Sequence, residues 1–239
     1  MKRSDKPRPL RSQATQSAAV AAVFILTIGA AFAVQRFGQA SDAPVRDTAA
    51  GTTAATTTRA QGMVVHPDSH VLGKPGARKV TFVEFLDFEC EACGAAYPAI
   101  EDLRNQYGSR VTFVARYFPL PGHFNAMRAA RAVEAAARQG RFEDMYHRMY
   151  TTQPQWAEQR APKDDLFLSF ADDLDLDLVR FNRDYTSQAT TRRIKADMAD
   201  GAALGVDSTP TFFVNEKRLN PTSYTDLTGA LDAALADAS

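Results

Sequence analysis

The sequence predicts an α/β fold interrupted by an inserted α-helical block, and three observations predict it. The stretch from Val80 to Leu103 changes periodicity partway. Val80, Phe82, Phe85, Leu86 and Phe88 belong to a strand-like run of aromatic and β-branched residues, whereas Cys93, Tyr97, Ile100 and Leu103 recur at helical spacing. From His123 to Leu204 the chain reads as successive helices with no strand between them. A short strand at Phe212 to Val214 then follows Pro210, with a turn, a second short strand at Leu219 and a terminal helix.

The N-terminal region sits apart from this pattern. Residues 1–17 open with Lys2, Arg3, Lys6, Arg8 and Arg11 against a single acid, Asp5. Residues 18–34 are an almost unbroken run of Ala, Val, Phe, Ile and Leu, and no charge occurs from Ser12 to Gln35. Such a run can span a bilayer, and the basic flank predicts a cytoplasmic N-terminus with the remainder outside. The favoured reading is an uncleaved transmembrane anchor; the alternative is a signal peptide cleaved at the small-x-small site Ala31-Phe32-Ala33, which also exports the rest. Residues 35–62 are rich in Ala and Thr, without periodicity, and read as a disordered linker. The folded domain is expected over 63–239, with the helical insertion at about 122–204.

Within that domain, His66 to Ala77 is turn-rich and reads as a surface loop. The first strong strand runs from Val80, and its helix stops at Gly108. Arg110 to Phe118 alternates into a strand, and Pro119-Leu120-Pro121-Gly122 breaks it. Helices are expected at His123–Gln139, Phe142–Tyr150, Lys163–Asp172, Asp175–Tyr185 and Gln188–Leu204. Trp156 and the stripe of Met145, Tyr146 and Met149 read as core. Pro210 removes a ladder N–H and must stand at a strand end. Tyr224 to Ala236 closes the chain with Leu227, Leu231 and Leu235 on one face.

The 239 residues are 45% hydrophobic, ample for one core. Lys+Arg and Asp+Glu each number 28, so the formal charge is zero, and no dense basic stripe marks the folded part for nucleic acid. The two cysteines form Cys90-Glu91-Ala92-Cys93 at the strand-to-helix junction. A structural disulfide there closes too small a loop to stabilise much. A zinc site needs two more ligands, and the chain has no other cysteine and only scattered histidines: His66, His70, His123 and His147. The helix start instead favours a thiolate at Cys90, the reactive form in disulfide exchange, while Cys93 lies one turn further in and is better buried. No metal is expected, and no cofactor beyond a redox-active Cys90–Cys93 disulfide.

These motifs in this order resemble the thioredoxin fold with a helical insertion, and in particular the DsbA-like family of extracytoplasmic thiol:disulfide oxidoreductases. The likeness rests on Phe88 to Cys93, on Ser208-Thr209-Pro210-Thr211, on Pro98 within the active-site helix, and on Tyr117-Phe118-Pro119-Leu120 before an alanine-rich helix, as in membrane-anchored bacterial members. It covers roughly Met63 to Ser239. The resemblance implies a cis Pro210 facing the cysteines and a Thr209 backbone that pairs with an extended substrate. It implies that Glu84 is the buried acid serving Cys93. It also implies dithiol oxidation of reduced exported proteins, with reoxidation by a membrane partner. Reductase or isomerase action, or a tethered client-binding module, are the alternatives. One departure stands out: the dipeptide is Glu91-Ala92, where strongly oxidising members carry Pro-His. With Glu89 and Glu91 flanking Cys90, the thiolate is expected to be disfavoured, with a pKa nearer about 7 than about 3.5 and a weaker oxidant as the result.

Overall fold

The computed structural model describes residues 64–238. The anchor at 18–34 and the linker at 35–62 lie outside them. Among the described residues no helix is long and apolar enough to cross a membrane.

Five strands form one mixed sheet: β1 (His70–Leu72), β2 (Val80–Leu86), β3 (Val111–Tyr117), β4 (Thr211–Val214) and β5 (Lys217–Leu219). The order is β1-β3-β2-β4-β5, with β2 parallel to β3 and every other pairing antiparallel. β2 is therefore central and covered on both faces, which is why its sequence is a nearly continuous apolar run rather than a clean alternation. Side chains alternate across the sheet. Phe82 and Leu86 point into the larger core, whereas Val83 and Phe85 join Val64, Val114, Val206 and Phe213 in the smaller one. Glu84, between Phe82 and Leu86 in this alternation, shares the larger core's face.

The helices are α1 (Glu91–Tyr107), α2 (Ala126–Ala137), α3 (Phe142–Thr152), α4 (Asp164–Asp173), α5 (Leu178–Tyr185), α6 (Gln188–Ala203) and α7 (Tyr224–Asp237), with a 3-10 turn at Gln153–Gln155. α1 and α7 contribute Ile100, Leu103, Leu227 and Leu231 to the larger core, continuous with the helical block through Phe88, Tyr146, Met149 and Trp156. α6 lies close against the other face. A methyl group at Gly201 would come within 3.0 Å of the Phe85 and Phe118 rings, so glycine permits that approach. Local signals set the helix starts: Asp177 and Ser187 cap α5 and α6, and Ser223 with Asp226 forms a capping box on α7.

Three elements differ from expectation, the first being α5, which begins at Leu178 rather than Asp175 because the Asp177 side chain caps it by accepting from the Val179 and Arg180 N–H groups. The segment read as a loop from His66 to Ala77 contains β1, whose three residues are too few to show an alternation of their own. His70 belongs to it and is no surface-loop residue: its Nε2 meets Glu134 Oε2 at 2.7 Å, and its ring stacks on Phe142 at 4.1 Å. α2 begins at Ala126 rather than His123, because residues 119–125 fold back as a loop against the end of β2.

Candidate active site

β2 delivers its chain to the site by ending at Leu86. Asp87 then turns the backbone, its carbonyl accepting from Cys90 N–H at 3.2 Å, and Cys90 becomes the N-cap of α1 in extended conformation. Cys90 has no side-chain cap of its own, so the first-turn N–H groups remain available to its sulfur. Gln153, from the 3-10 turn, straps this junction: its Nε2 donates to the Phe88 carbonyl at 2.8 Å and the Cys90 carbonyl at 2.9 Å. Gly94 makes room for the strap, since a Cβ there would stand 1.9 Å from Gln153 Oε1.

Both cysteines are free thiols and buried, Cys90 to 7% exposure and Cys93 completely. The Cys90 Sγ lies 3.3 Å from the Thr209 carbonyl oxygen, and the Thr209–Pro210 peptide bond is cis. β4 leaves this loop directly, pairing Thr211 with Phe85 of β2, so the sheet itself holds Pro210 beside the cysteines. Glu91 and Ala92 are exposed on the first turn of α1.

The two thiols differ in acidity. Cys90 is lowered to about 5: the hydrogen bond from Cys93 outweighs burial, and Thr209 with the Cys93 and Ala92 N–H groups adds to it. Cys93 is pushed well above the usual thiol range by burial, by the bond it shares with Cys90 and by the charge of Glu84. Glu84 is 3% exposed, and burial, with the charges of Glu101 and Cys90 behind it, raises its carboxyl to about 8. A buried acid that holds its proton at neutral pH, within electrostatic reach of Cys93, can give or take the proton that Cys93 needs.

The expectation of a disfavoured thiolate is corrected here. At about 5 the Cys90 pKa lies below the thioredoxin value. Neither flanking glutamate is turned to the sulfur. Glu89 is buried, its Oε2 accepting from Asn125 N–H, and Glu91 faces solvent.

The fold also assembles residues that sequence reasoning missed. Asp87 Oδ1 accepts from Glu89 N–H at 2.9 Å; its Oδ2 accepts from Leu120 N–H at 2.9 Å and meets His123 Nδ1 at 2.6 Å. Asn125 anchors the same loop, donating to the Gln159 and Ala161 carbonyls and accepting from Lys163 N–H. Gln153, His123 and Asn125 carry no local motif; nothing short of the tertiary fold announces them. Among the described residues no cluster of His, Cys, Asp or Glu could hold a metal ion.

The thioredoxin family profile matches residues 66–233. The Na(+)/H(+) antiporter NhaA of Herminiimonas arsenicoxydans is 37% identical over 155 residues, which is 65% of this chain and 24% of that protein. The Na(+)/H(+) antiporter NhaA 3 of Salinispora tropica is 40% identical over 177 residues, 73% of this chain and 26% of the relative. The chain thus spans about a quarter of the length of the curated relatives it matches. Among solved structures, a thioredoxin-like oxidoreductase from Silicibacter pomeroyi superimposes with a TM-score of 0.62 at 28% identity, covering 74% of this chain and 96% of that one. The thiol-disulfide exchange protein alpha-DsbA2 from Wolbachia pipientis gives a TM-score of 0.63 at 19% identity over 75% and 94% of the two chains. BdbD from Bacillus subtilis gives 0.62 at 22% identity over 70% and 93%. These last two likenesses speak to the fold.

Proposed function

The chain belongs to the thioredoxin family, and on that premise we propose that it is a thiol–disulfide oxidoreductase that acts outside the cytoplasm and forms disulfides in reduced exported proteins. The observation that carries the reading is the split between the two thiols. Cys90, lowered to about 5 chiefly by the Cys93 hydrogen bond and also by the Cys93 and Ala92 N–H groups, is a stable thiolate and leaving group at neutral pH, whereas Cys93 is buried and held protonated. A stable thiolate favours the reduced form of the pair and so makes the disulfide a better oxidant. That favours oxidase action over reduction or isomerisation.

In the proposed cycle a client thiolate attacks the Cys90 sulfur of the Cys90–Cys93 disulfide. A client–Cys90 bond forms as the S–S bond breaks, and Cys93 leaves with the electron pair and takes a proton from Glu84. The extended client lies along the Thr209 backbone. A second client thiolate then attacks the client sulfur of the mixed disulfide and expels Cys90 as thiolate. The client is oxidised by two electrons and the cysteine pair reduced by two. Reoxidation falls to a membrane-bound partner. The redox-active disulfide is the only cofactor proposed. Export rests on the uncharged segment from Ser12 to Gln35 and its basic flank. The antiporters match over about a quarter of their length, and transport is not carried over to this chain.

The test is turnover. The oxidised protein should restore activity to a reduced, unfolded client whose native state needs disulfides, and Cys90→Ser should abolish this while leaving client binding unchanged. Efficient reduction of client disulfides without net oxidation would reverse the direction. Client protection by the wild-type protein with no change in the client's thiols, equal in Cys90→Ser, would indicate a binding module instead.

A further inference from the structure

His123 has no part in the cycle above, yet the fold brings it to the turn that carries Cys90. It comes from the loop between β3 and α2, and its Nδ1 lies 2.6 Å from Asp87 Oδ2. Asp87 is the residue whose carbonyl receives the Cys90 N–H and whose other carboxylate oxygen receives the Glu89 N–H. The imidazole is thus one residue removed, through space, from the reactive cysteine's own hydrogen-bonded turn. Its far nitrogen, Nε2, stands 3.7 Å from the Glu158 carboxylate. Glu158 has φ 58, a left-handed conformation uncommon for a non-glycine residue. The charged groups that act most on His123 are Asp87 just past the end of β2, Glu158 from the segment after the 3-10 turn, and Cys90 at the head of α1.

Asp87 is 1% exposed, and a buried carboxylate beside a thiolate would oppose it unless paired. Resting on the thiol-exchange reading, we propose that His123 is a positioning residue of the redox site: clamped on Asp87, it adds a positive charge that favours the Cys90 thiolate beside the first-turn N–H groups, so that the oxidising strength of the cysteine pair follows the protonation of His123. Burial pushes Asp87 up to about 6 despite its hydrogen bonds. Burial alone would lower His123, but the hydrogen bond and charge of Asp87, then Glu158 and Cys90, raise it above the ordinary imidazole value. As pH rises, Asp87 ionises first and His123 loses its proton later. The Asp87–His123 pair therefore passes from a net positive charge through a neutral pair to a lone Asp87 carboxylate. The disulfide is a stronger oxidant on the acid side of this sequence. The charge that Glu91-Ala92 does not provide between the cysteines arrives from a different part of the chain.

The test uses the whole folded protein and no client, so it is independent of whether the oxidase reading holds. Alkylation of the reduced protein by iodoacetamide is followed against pH in the wild type and in His123→Gln. The midpoint for Cys90 should rise in the variant by about half to one unit, leaving roughly three- to tenfold less thiolate on the acid limb. Coupling between two sites is reciprocal. The His123 ring, titrated by NMR in the wild type, should therefore have a higher midpoint in reduced than in disulfide-bonded protein. An unmoved Cys90 midpoint in folded His123→Gln overturns the proposal. If that variant does not fold, a His123 titration identical in the two redox states overturns it. A purely structural role would cost stability and leave both titrations where they are.

Discussion

Cys90 and Cys93 stand three positions apart and occupy opposite chemical regimes, which fixes what their replacements should do. Cys93→Ser leaves a reactive Cys90 with no neighbour to displace a bound client, so covalent client adducts should accumulate; Cys90→Ser should give none. Non-reducing gels after mixing with a disulfide-containing client, whose S–S bond the Cys90 thiolate breaks as the client–Cys90 bond forms, would show this, and equal trapping by both variants would contradict the assignment. Glu84 makes a second prediction, with a defined sign. Its carboxyl has a folded-state pKa of about 8 against an ordinary 4.5, so the folded protein holds this proton more tightly than the unfolded chain does. The resulting stability is full below about pH 4.5 and declines as pH rises toward 8. Glu84→Gln should therefore stabilise the reduced protein by a few kcal/mol at pH 8 and by little at pH 4. Urea denaturation at the two pH values measures it, and a variant less stable at pH 8 would refute it. Cys90, Cys93 and the Thr209-Pro210 pair were legible in the sequence because each belongs to a local pattern. Asp87 and His123 are separated by 36 residues and look like an ordinary loop acid and a stray histidine until the chain folds. The misjudged acidity of Cys90 has the same root. Closeness along the chain is not closeness to the sulfur, because the Glu89 carboxylate accepts from the Asn125 N–H.

Among the elements, α1 and the helical block approach closely at Gly94, which lies against Gln153. The Gln153 amide satisfies two carbonyls at the end of the β2–α1 connection, where an unmet buried carbonyl would cost on the order of 1–3 kcal/mol. Gly94→Ala should force Gln153 aside, and Gln153→Ala should strand both carbonyls, each destabilising by about 1–3 kcal/mol. Because both changes break the same strap, the double variant should cost well below the sum, and additivity within about 0.5 kcal/mol would argue against the coupling. The elements were legible in proportion to their length and the strength of their periodicity. α6, from Gln188 to Ala203, lies within one residue of its expected bounds, whereas β1 spans three residues and went unseen. The alanine-rich run at His123 gave no sign that its first turn is a loop, because helical composition continues through residues whose backbone is held elsewhere by Asp87 and Glu89.

On the scale of the whole molecule, the α/β architecture followed from the order of periodicities, since a central strand must be apolar on both faces and a helical insertion must lack strands. What periodicity could not supply is the meeting of the 119–125 loop, the 3-10 turn and the Thr209–Pro210 loop around the turn that carries Cys90, which depends on sheet order and on helix packing across the insertion. In the proposed function the site acts as an oxidant only where thiols await oxidation, and the N-terminal sequence bears on that. A bilayer core takes roughly 20 apolar residues in a helix, and the segment from Ser12 to Gln35 carries no charge. Lys2, Arg3, Lys6, Arg8 and Arg11 precede it, and basic residues are retained on the cytoplasmic side. The full chain, expressed in bacterial cells, should fractionate with membranes, and a membrane-impermeant maleimide added to intact spheroplasts should label Cys90 after mild reduction. Labelling that appears only after lysis would place the domain inside and remove exported proteins as its clients. Labelling from outside of a soluble product beginning near Val34 would keep the domain outside and replace the anchor with a cleaved signal.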